Sequence, residues 1–398
     1  CGFCTATCPT YVLLGDELDS PRGRIVLIKE MLESEEAVSP KVVKHIDRCL
    51  SCLACMTTCP SGVNYMHLVD QARERIESSF RRPLAERTLR ALLAWLLPNP
   101  KLFRLALIGA ALGRRFETLM PRKLSPLLAF APKNLPKRSL ADEPGIKRSL
   151  GPTTHRVALL TGCAQRVLDP KINESTIRLL TRHGCEVVIP SGSGCCGALP
   201  HHMGKNASGS KLAKANLLAW KKELAGSKID AIVSNTSGCG TMLKDYGHIF
   251  RNDEKWSEVA ATISDLAVDV CEFLDKIGLS GTLPSKLSVA YHSACSLQHG
   301  QQVHEAPIAL LKNCGFNVLE IPEGHLCCGS AGTYNLLQPA LANELRDRKL
   351  MNIASTAPDV IAAGNIGCIT QLASGTKTPV VHTIQLLDWA TGGPEPDF

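Results

Sequence analysis

Aromatic side chains are scarce in this chain, with four Trp, five Tyr and nine Phe among 398 residues. A basic stretch with no aromatic ladder for bases to stack on makes a poor nucleic-acid surface, so no nucleic-acid partner is expected. Long apolar runs are missing too. The two richest pieces, "LRALLAWLL" and "LFRLALIGAALG", fall well short of the ~20 residues that span a bilayer, and Arg104 interrupts the second. No transmembrane helix is expected. The charged, apolar and cleavage pattern of a secretory signal is not visible, which argues against a secreted disulfide framework despite eighteen cysteines. Thiols in that number point instead to metal ligation in a reducing compartment: the cytoplasm, or a peripheral position on the cytoplasmic face of the inner membrane. Length and an apolar share of 44% leave room for two or three packed domains.

What is abundant is cysteine at fixed spacing. Residues 49 to 60 read "CLSCLACMTTCP", placing Cys49, Cys52, Cys55 and Cys59 in the C-x2-C-x2-C-x3-C-P run of 4Fe-4S proteins. The opening stretch, "CGFCTATCP", supplies Cys1, Cys4 and Cys8 at the second, third and fourth positions of the same run. A first cysteine is therefore expected three residues before the present start, and the chain reads as truncated there. Two residues between cysteines let one tight loop aim three sulfurs at one cube, while the fourth cysteine ligates the neighbouring cluster. The expected assignment is Cys8, Cys49, Cys52 and Cys55 to one 4Fe-4S cluster, and Cys1, Cys4 and Cys59 to the other. Paired C-x2-C units also build zinc sites, but those rarely carry a third and fourth cysteine plus proline in this register. Arg22 and Arg24, in "SPRGRI", would raise a cluster's potential by offsetting its charge, or else form ordinary ion pairs.

Charge is uneven. Residues 81 to 148 hold fifteen Lys/Arg against four acids, among them Arg114, Arg115 and Glu117, while the rest of the chain is net acidic. Prolines at 83, 98, 100, 121, 126, 132 and 136 break this region into short helices. Basic amphipathic helices of this kind lie on an anionic membrane face, pack on a partner, or simply pack on their own protein.

Residues 151 to 398 contain an internal repeat. Cys163 pairs with Cys295 and the Cys195-Cys196-Gly197 triplet with Cys327-Cys328-Gly329, both at an offset of 132, and Cys239 pairs with Cys368 at 129. The lone Cys185 and Cys314 also correspond, whereas Cys271 has no counterpart and reads as a core thiol. The runs "EVVIP", "AIVSN", "NVLEIP" and "DVIAAGN" predict short buried strands alternating with helices, hence parallel α/β layers. Each cysteine landmark follows a strand, at the carboxyl edge where open α/β sheets place their ligand crevice. "GSGCCG" matches a dinucleotide fingerprint literally, but no acidic residue follows at the required distance, so nucleotide binding is not expected. His201, His202, His292, His299, His304 and His325 lie near these loops, and each is more often a surface or capping residue than a ligand.

The expected fold is α+β and multidomain: a helical 4Fe-4S ferredoxin-like domain over 1–80, a basic helical linker over 81–150, and cysteine-rich α/β repeats over 151–280 and 281–398. With these motifs the chain resembles the iron-sulfur subunits of glycolate oxidase, anaerobic glycerol-3-phosphate dehydrogenase, lactate-utilisation complexes and heterodisulfide reductase. "CGFCTATCPTYVLLGDELDSPRGRI" and "CLSCLACMTTCPSGVNYMHLVD" look most like the glycolate oxidase subunits. That resemblance implies an electron carrier without a catalytic acid, base or nucleophile of its own. It would accept electrons from flavin-containing subunits oxidising glycolate to glyoxylate and pass them to a respiratory acceptor such as quinone. Lactate or glycerol-3-phosphate dehydrogenase, a thiol/disulfide enzyme and a subunit-binding scaffold are the alternatives. In the heterodisulfide reductase relatives the last landmark is C-x2-C, but here its first position is Thr236 or Asn365. The four cysteines left in each repeat, Cys163, Cys195, Cys196, Cys239 and Cys295, Cys327, Cys328, Cys368, stay open between a further cluster or metal, silent thiols and a reversible disulfide.

Overall fold

The computed structural model describes residues 1–34, 37–113, 135–279, 281 and 286–398. Arg114, Arg115, Glu117, Pro121, Pro126 and Pro132 of the basic region lie outside the described residues.

The first eighty residues are helical. Helices Pro21–Glu33 and Pro40–Asp47 each start with proline in the first turn, preceded by a capping serine. The Gly23 amide donates to Ser20 Oγ at 3.0 Å and the Val42 amide to Ser39 Oγ at 3.3 Å. Leu27, Ile28 and Met31 meet Val42, Val43 and Ile46 and the Tyr65, Val69, Ala72, Ile76 face of helix Tyr65–Ser79, closing a small core around the cysteine loops.

Helices Leu84–Leu96 and Pro100–Gly113 follow, separated at Pro98 and Pro100. Part of this region's charge is internal. Arg82 and Arg90 both bind Asp47, at 2.6 and 2.9 Å, and both bind Glu86, at 2.6 and 2.9 Å, tying the segment back to the helical domain. Phe103 and Leu107 pack on Val167 of the first repeat. Among the described residues no helix is long and apolar enough to cross a membrane.

Two sheets make up the rest. Strands β1 (Gly145–Lys147), β2 (His155–Leu160), β3 (Cys185–Ile189), β4 (Ala231–Ser234) and β5 (Ala267–Asp269) form the first, in the order β1-β3-β2-β4-β5. Strands β6 (Ser288–His292), β7 (Asn317–Leu319), β8 (Val360–Ala363) and β9 (Val380–His382) form the second, in the order β7-β6-β8-β9. All pairings are parallel except β1 with β3. Strand order is thus the same in both repeats apart from β1, which comes from the end of the linker and adds an antiparallel edge to the first sheet.

Alternation along the central strands sets the layers. Val157 and Leu159 face one way, into a core shared with Val289, Tyr291, Val360 and Ala362 of the second sheet. Ala158 and Leu160 face the other way, onto Leu217 and Trp220 of helix Asn206–Gly226. Helices Lys171–Arg182, Val270–Ile277, Glu305–Asn313 and Thr383–Ala390 all contribute to the shared core. They pair reciprocally: the helix after the first strand of each repeat packs on the last helix of the other. That arrangement has the self-complementary form of a two-fold dimer interface within one chain.

One buried charge closes this seam. Asp388, with no side-chain exposure, accepts from Arg178 Nη2 at 2.6 Å and Arg182 Nη1 at 3.2 Å. Asp388→Ala is expected to destabilise the chain by ~2 kcal/mol, below the ~3–5 kcal/mol of a fully buried pair because both arginines are partly exposed. Denaturant midpoints read at unchanged slope check this, and an unchanged midpoint would show the seam does not depend on the pair.

Candidate metal centres

The second cysteine loop owes its shape to two residues in the left-handed region, Ser51 (φ 51) and Leu53 (φ 63). Such conformations cost ~1–3 kcal/mol each and persist where the surroundings over-determine them. Here they curl the backbone so that Cys49, Cys52 and Cys55 line one cavity with Cys8 from the first loop; Pro9, Thr10, Arg24 and Tyr65 complete its wall. The donors around the sulfurs are also in place. Ser51 N–H reaches Cys49 Sγ at 3.4 Å, Tyr65 Oη reaches it at 3.7 Å, and Arg24 Nη1 lies 3.8 Å from Cys8 Sγ. Burial pushes the Cys52 and Cys55 thiols up, with Cys295 next in effect on the first and Cys49 on the second. Four inward thiols with a cation and hydrogen-bond donors behind them fit a metal cluster, whose positive charge deprotonates such thiols outright.

Cys1 is exposed, and Cys4 and Cys59 are half-buried. Helix Phe3–Thr7 packs on helix Ala54–Thr57, which sets the Cys4 loop beside Cys59. Amide donors from Val63, Ser61 and Gly62 hold the Cys59 thiol below its usual range.

The two arginines separate. Arg22 is exposed, paired bidentately with Glu17 at 2.5 and 3.0 Å and bonded to the Cys1 carbonyl at 2.9 Å. Arg24 is 1% exposed. It donates to the His45 carbonyl at 2.7 Å, Thr10 Oγ1 at 2.9 Å and Asp19 Oδ1 at 3.2 Å. Burial opposes its charge, but Cys49, Tyr65, Cys8 and Asp19 together hold it above the ordinary arginine value.

In each repeat the loops after three neighbouring strands bring the four cysteines together. Contacts run Cys163–Cys195–Cys196–Cys239 in the first repeat and Cys295–Cys327–Cys328–Cys368 in the second, with Cys295 Sγ 3.7 Å from Cys327 Sγ. The glycine of each triplet is demanded by geometry. Gly197 (φ 88) and Gly329 (φ 87) are left-handed, and a Cβ there would lie 2.5 Å from the Gly209 carbonyl or 2.3 Å from that of Ala342. Gly197 and Gly329 amides also donate to Cys195 and Cys327 sulfurs, at 3.5 and 3.4 Å. The two departures from C-x2-C differ: Asn365 donates its amide to Cys368 Sγ at 3.6 Å, while Thr236 turns away to Gln165 at 2.5 Å. Cys185, Cys271 and Cys314 sit in the shared core, apart from these groups.

Among the histidines, His304 is exposed. His299 bridges Thr57 Oγ1, at 2.8 Å, and the His325 carbonyl, at 3.2 Å, fastening the second cysteine loop to the second repeat. His292 is buried against Cys328 and Cys368, and burial pushes its imidazole down to about 3. Sequence spacing had given it no weight, because nothing in a strand-end histidine shows which residues the fold brings beside it. His201 and His202 meet Asp70 of helix Tyr65–Ser79 at 3.6 and 3.1 Å, docking the helical domain on the first repeat.

A 4Fe-4S dicluster domain model matches residues 1–63, and a cysteine-rich domain model matches 157–244 and again 289–373. The glycolate oxidase iron-sulfur subunit of Escherichia coli is 41% identical over 98% of this chain and 92% of its own length. The chain belongs to the glycolate oxidase iron-sulfur subunit family. The probable glycolate oxidase iron-sulfur subunit of Bacillus subtilis is 32% identical over 98% of this chain and 93% of its own. Lactate utilization protein A of Oceanobacillus iheyensis is 27% identical over 58% of this chain and 96% of its own. The family's paired architecture, helical dicluster domain and two cysteine-rich domains, is the α+β arrangement expected from the motifs. In fold alone, the crystal structure of a hypothetical protein from Helicobacter pylori is alike, with a TM-score of 0.54 and 12% identity over 94% of this chain and 68% of that one.

Two outcomes test this geometry. Arg24→Leu is expected to lower stability by ~3 kcal/mol, because Asp19 stays buried with one partner fewer; equilibrium unfolding measures it, and a loss below measurement error would detach Arg24 from the fold. Asp70→Asn is expected to weaken docking of the helical domain, with a pH signature. Burial opposes the Asp70 charge, but His202 and His201 hold its carboxyl below the ordinary 3.8, so its contribution is present above pH 3.8 and lost as pH falls. Burial likewise opposes the His201 cation, but Asp70 raises it above the ordinary 6.5, so that contribution is full below 6.5 and lost as pH rises through the raised value. The stability gap between wild type and Asp70→Asn should therefore peak between those limits, and a pH-independent gap would contradict the pairing.

Proposed function

We propose that this chain is the electron-transfer subunit of a flavin-dependent glycolate oxidase complex, relaying electrons from glycolate oxidation to glyoxylate towards a respiratory acceptor such as quinone. The observation that carries this is the cavity walled by Cys8, Cys49, Cys52 and Cys55, with the Cys1, Cys4 and Cys59 loop alongside. Each set serves one 4Fe-4S cluster in this reading. An iron-sulfur cluster supplies one-electron redox chemistry with little movement of atoms. The protein's part is to hold the thiolates, bury one loop and leave the other near solvent. Half-buried Cys4 and Cys59 support docking of a flavin subunit on this side. Arg24 keeps positive charge beside the buried set, which favours its reduced form.

Substrate oxidation belongs to the flavin partner, and glycolate is preferred over lactate or glycerol-3-phosphate because the full-length relatives are named for glycolate oxidase. Peripheral contact with the cytoplasmic membrane face is supported by the apolar side chains Leu92, Trp95, Leu105 and Leu112, exposed on helices of the basic region.

Iron and acid-labile sulfide in the anaerobically purified complex should reach about eight each per subunit. Cys49→Ala should lower both, leave glycolate able to bleach the flavin, and abolish quinone reduction. A complex that reduced quinone at the wild-type rate without this cysteine would overturn the relay.

A further inference from the structure

The two repeats are not equivalent around their thiols. His292 ends β6, is 1% exposed, and has no hydrogen-bond partner at either ring nitrogen among the described residues. Native interiors rarely leave such groups unsatisfied, since each orphaned polar atom costs ~1–3 kcal/mol. A ring nitrogen of His292, Cys328 Sγ and Cys368 Sγ all lie within 4.8 Å of one another. The corresponding residue in the first repeat, at the end of β2, is Leu160, packed in an apolar core.

A second difference lies on the outer helix. The contacts Gly197 to Gly209 and Gly329 to Ala342 bring Asn216 of one repeat into register with Lys349 of the other. Asn216 is neutral and bonds the Gly194 amide and the Cys195 carbonyl, at 2.8 and 2.9 Å. Lys349 is 2% exposed and donates to the Glu323 carbonyl at 2.7 Å; burial pulls its ammonium below the ordinary lysine value, and Cys328, Cys327, Glu323 and Cys295 act against that. Buried charge of this kind requires a counter-charge nearby. The buried imidazole and the buried amine both flank the thiols of the second repeat.

We propose that the second repeat, and not the first, binds a single thiophilic divalent cation, Zn²⁺, through His292, Cys328, Cys368 and one thiolate of the Cys295/Cys327 pair. Soft thiolates with one imidazole in a buried tetrahedral set are zinc's preferred donors. Zn–S bonds of ~2.3 Å give a tetrahedron with edges of ~3.8 Å. The ring nitrogen of His292 and the sulfurs of Cys328 and Cys368, all within 4.8 Å of one another, approach that size. A four-iron cube, with iron and sulfide between its thiolates, would hold them further apart. Binding expels three thiol protons to solvent and leaves a centre of charge −1, which Lys349 offsets. Nothing here depends on the electron relay, and zinc is counted separately from iron.

The test uses the purified complex, supplemented with Zn²⁺ during expression. Wild type should carry about one zinc per subunit, with a zinc K-edge spectrum of about three sulfurs and one nitrogen. His292→Leu, which restores the first repeat's residue, should bind zinc at least about tenfold more weakly, with its iron unchanged. His292→Cys, which keeps a donor, should retain zinc in an all-sulfur shell. Cys196→Ala, in the first repeat, should leave zinc unaltered. A wild type free of zinc, a His292→Leu protein with zinc in an unchanged shell, or zinc lost with Cys196→Ala would each overturn the proposal. If His292→Leu fails to fold, the shell of His292→Cys decides.

Discussion

Asp19 is the fixed point of the helical domain. With no exposed surface, it accepts from Arg24 at 3.2 Å, His45 at 3.0 Å and Arg48 at 2.7 Å, while its own carbonyl takes the Thr10 hydroxyl at 2.8 Å. Thr10 lies just past Cys8, and Arg48 just before Cys49. One aspartate, through its carboxylate and its backbone carbonyl, therefore holds the two cysteine loops at a set distance, a requirement if each loop lends a thiolate to the other's cluster. An isolated buried ion pair is weak evidence of stability, but a carboxylate shared among three donors fixes register between segments far apart in sequence. The left-handed Ser51 and Leu53 then turn the second loop's sulfurs towards the first.

The helical domain straddles the repeats. Its helix Tyr65–Ser79 meets the first through Asp70 with His201 and His202, and through His67, 2.8 Å from Asp245 and stacked on His248. Its second cysteine loop meets the other repeat, where Leu50, Cys52 and Ala54 pack with Cys327, Tyr334 and Leu345. The thiol group of the second repeat thus borders the buried cysteine loop, and that of the first does not share this contact. A duplicated fold has acquired two different environments because only one copy abuts the loop.

Much of this was legible in the cysteines. Their spacing defined both loops, and the 132-residue offset exposed the duplication that the two sheets share. Short apolar runs such as "AIVSN" and "DVIAAGN" marked β4 and β8, since buried parallel strands are apolar on both faces. β1, β5 and β9, three residues each, were not among the expected strands, and β1 lay inside what composition marked as linker. The basic region read as a charged surface, yet Arg82 and Arg90 turn inward to Asp47, a partner thirty-five or more residues away. His292 and Lys349 were illegible for a related reason: each is ordinary in its own segment and gains meaning only from the thiols that tertiary packing sets beside it.

The exchange of helices between the repeats bears on how the chain matures on the ribosome. Helix Lys171–Arg182 is made early, but the surface that covers it, helix Thr383–Ala390, is translated only after the whole second repeat. Until then the part of the shared core that the second repeat supplies is missing, and a half-made chain presents apolar surface together with reduced thiols. Such an intermediate is prone to aggregation and to oxidation, so nascent-chain chaperones and an oxygen-poor setting would matter most during synthesis, before any cluster is delivered.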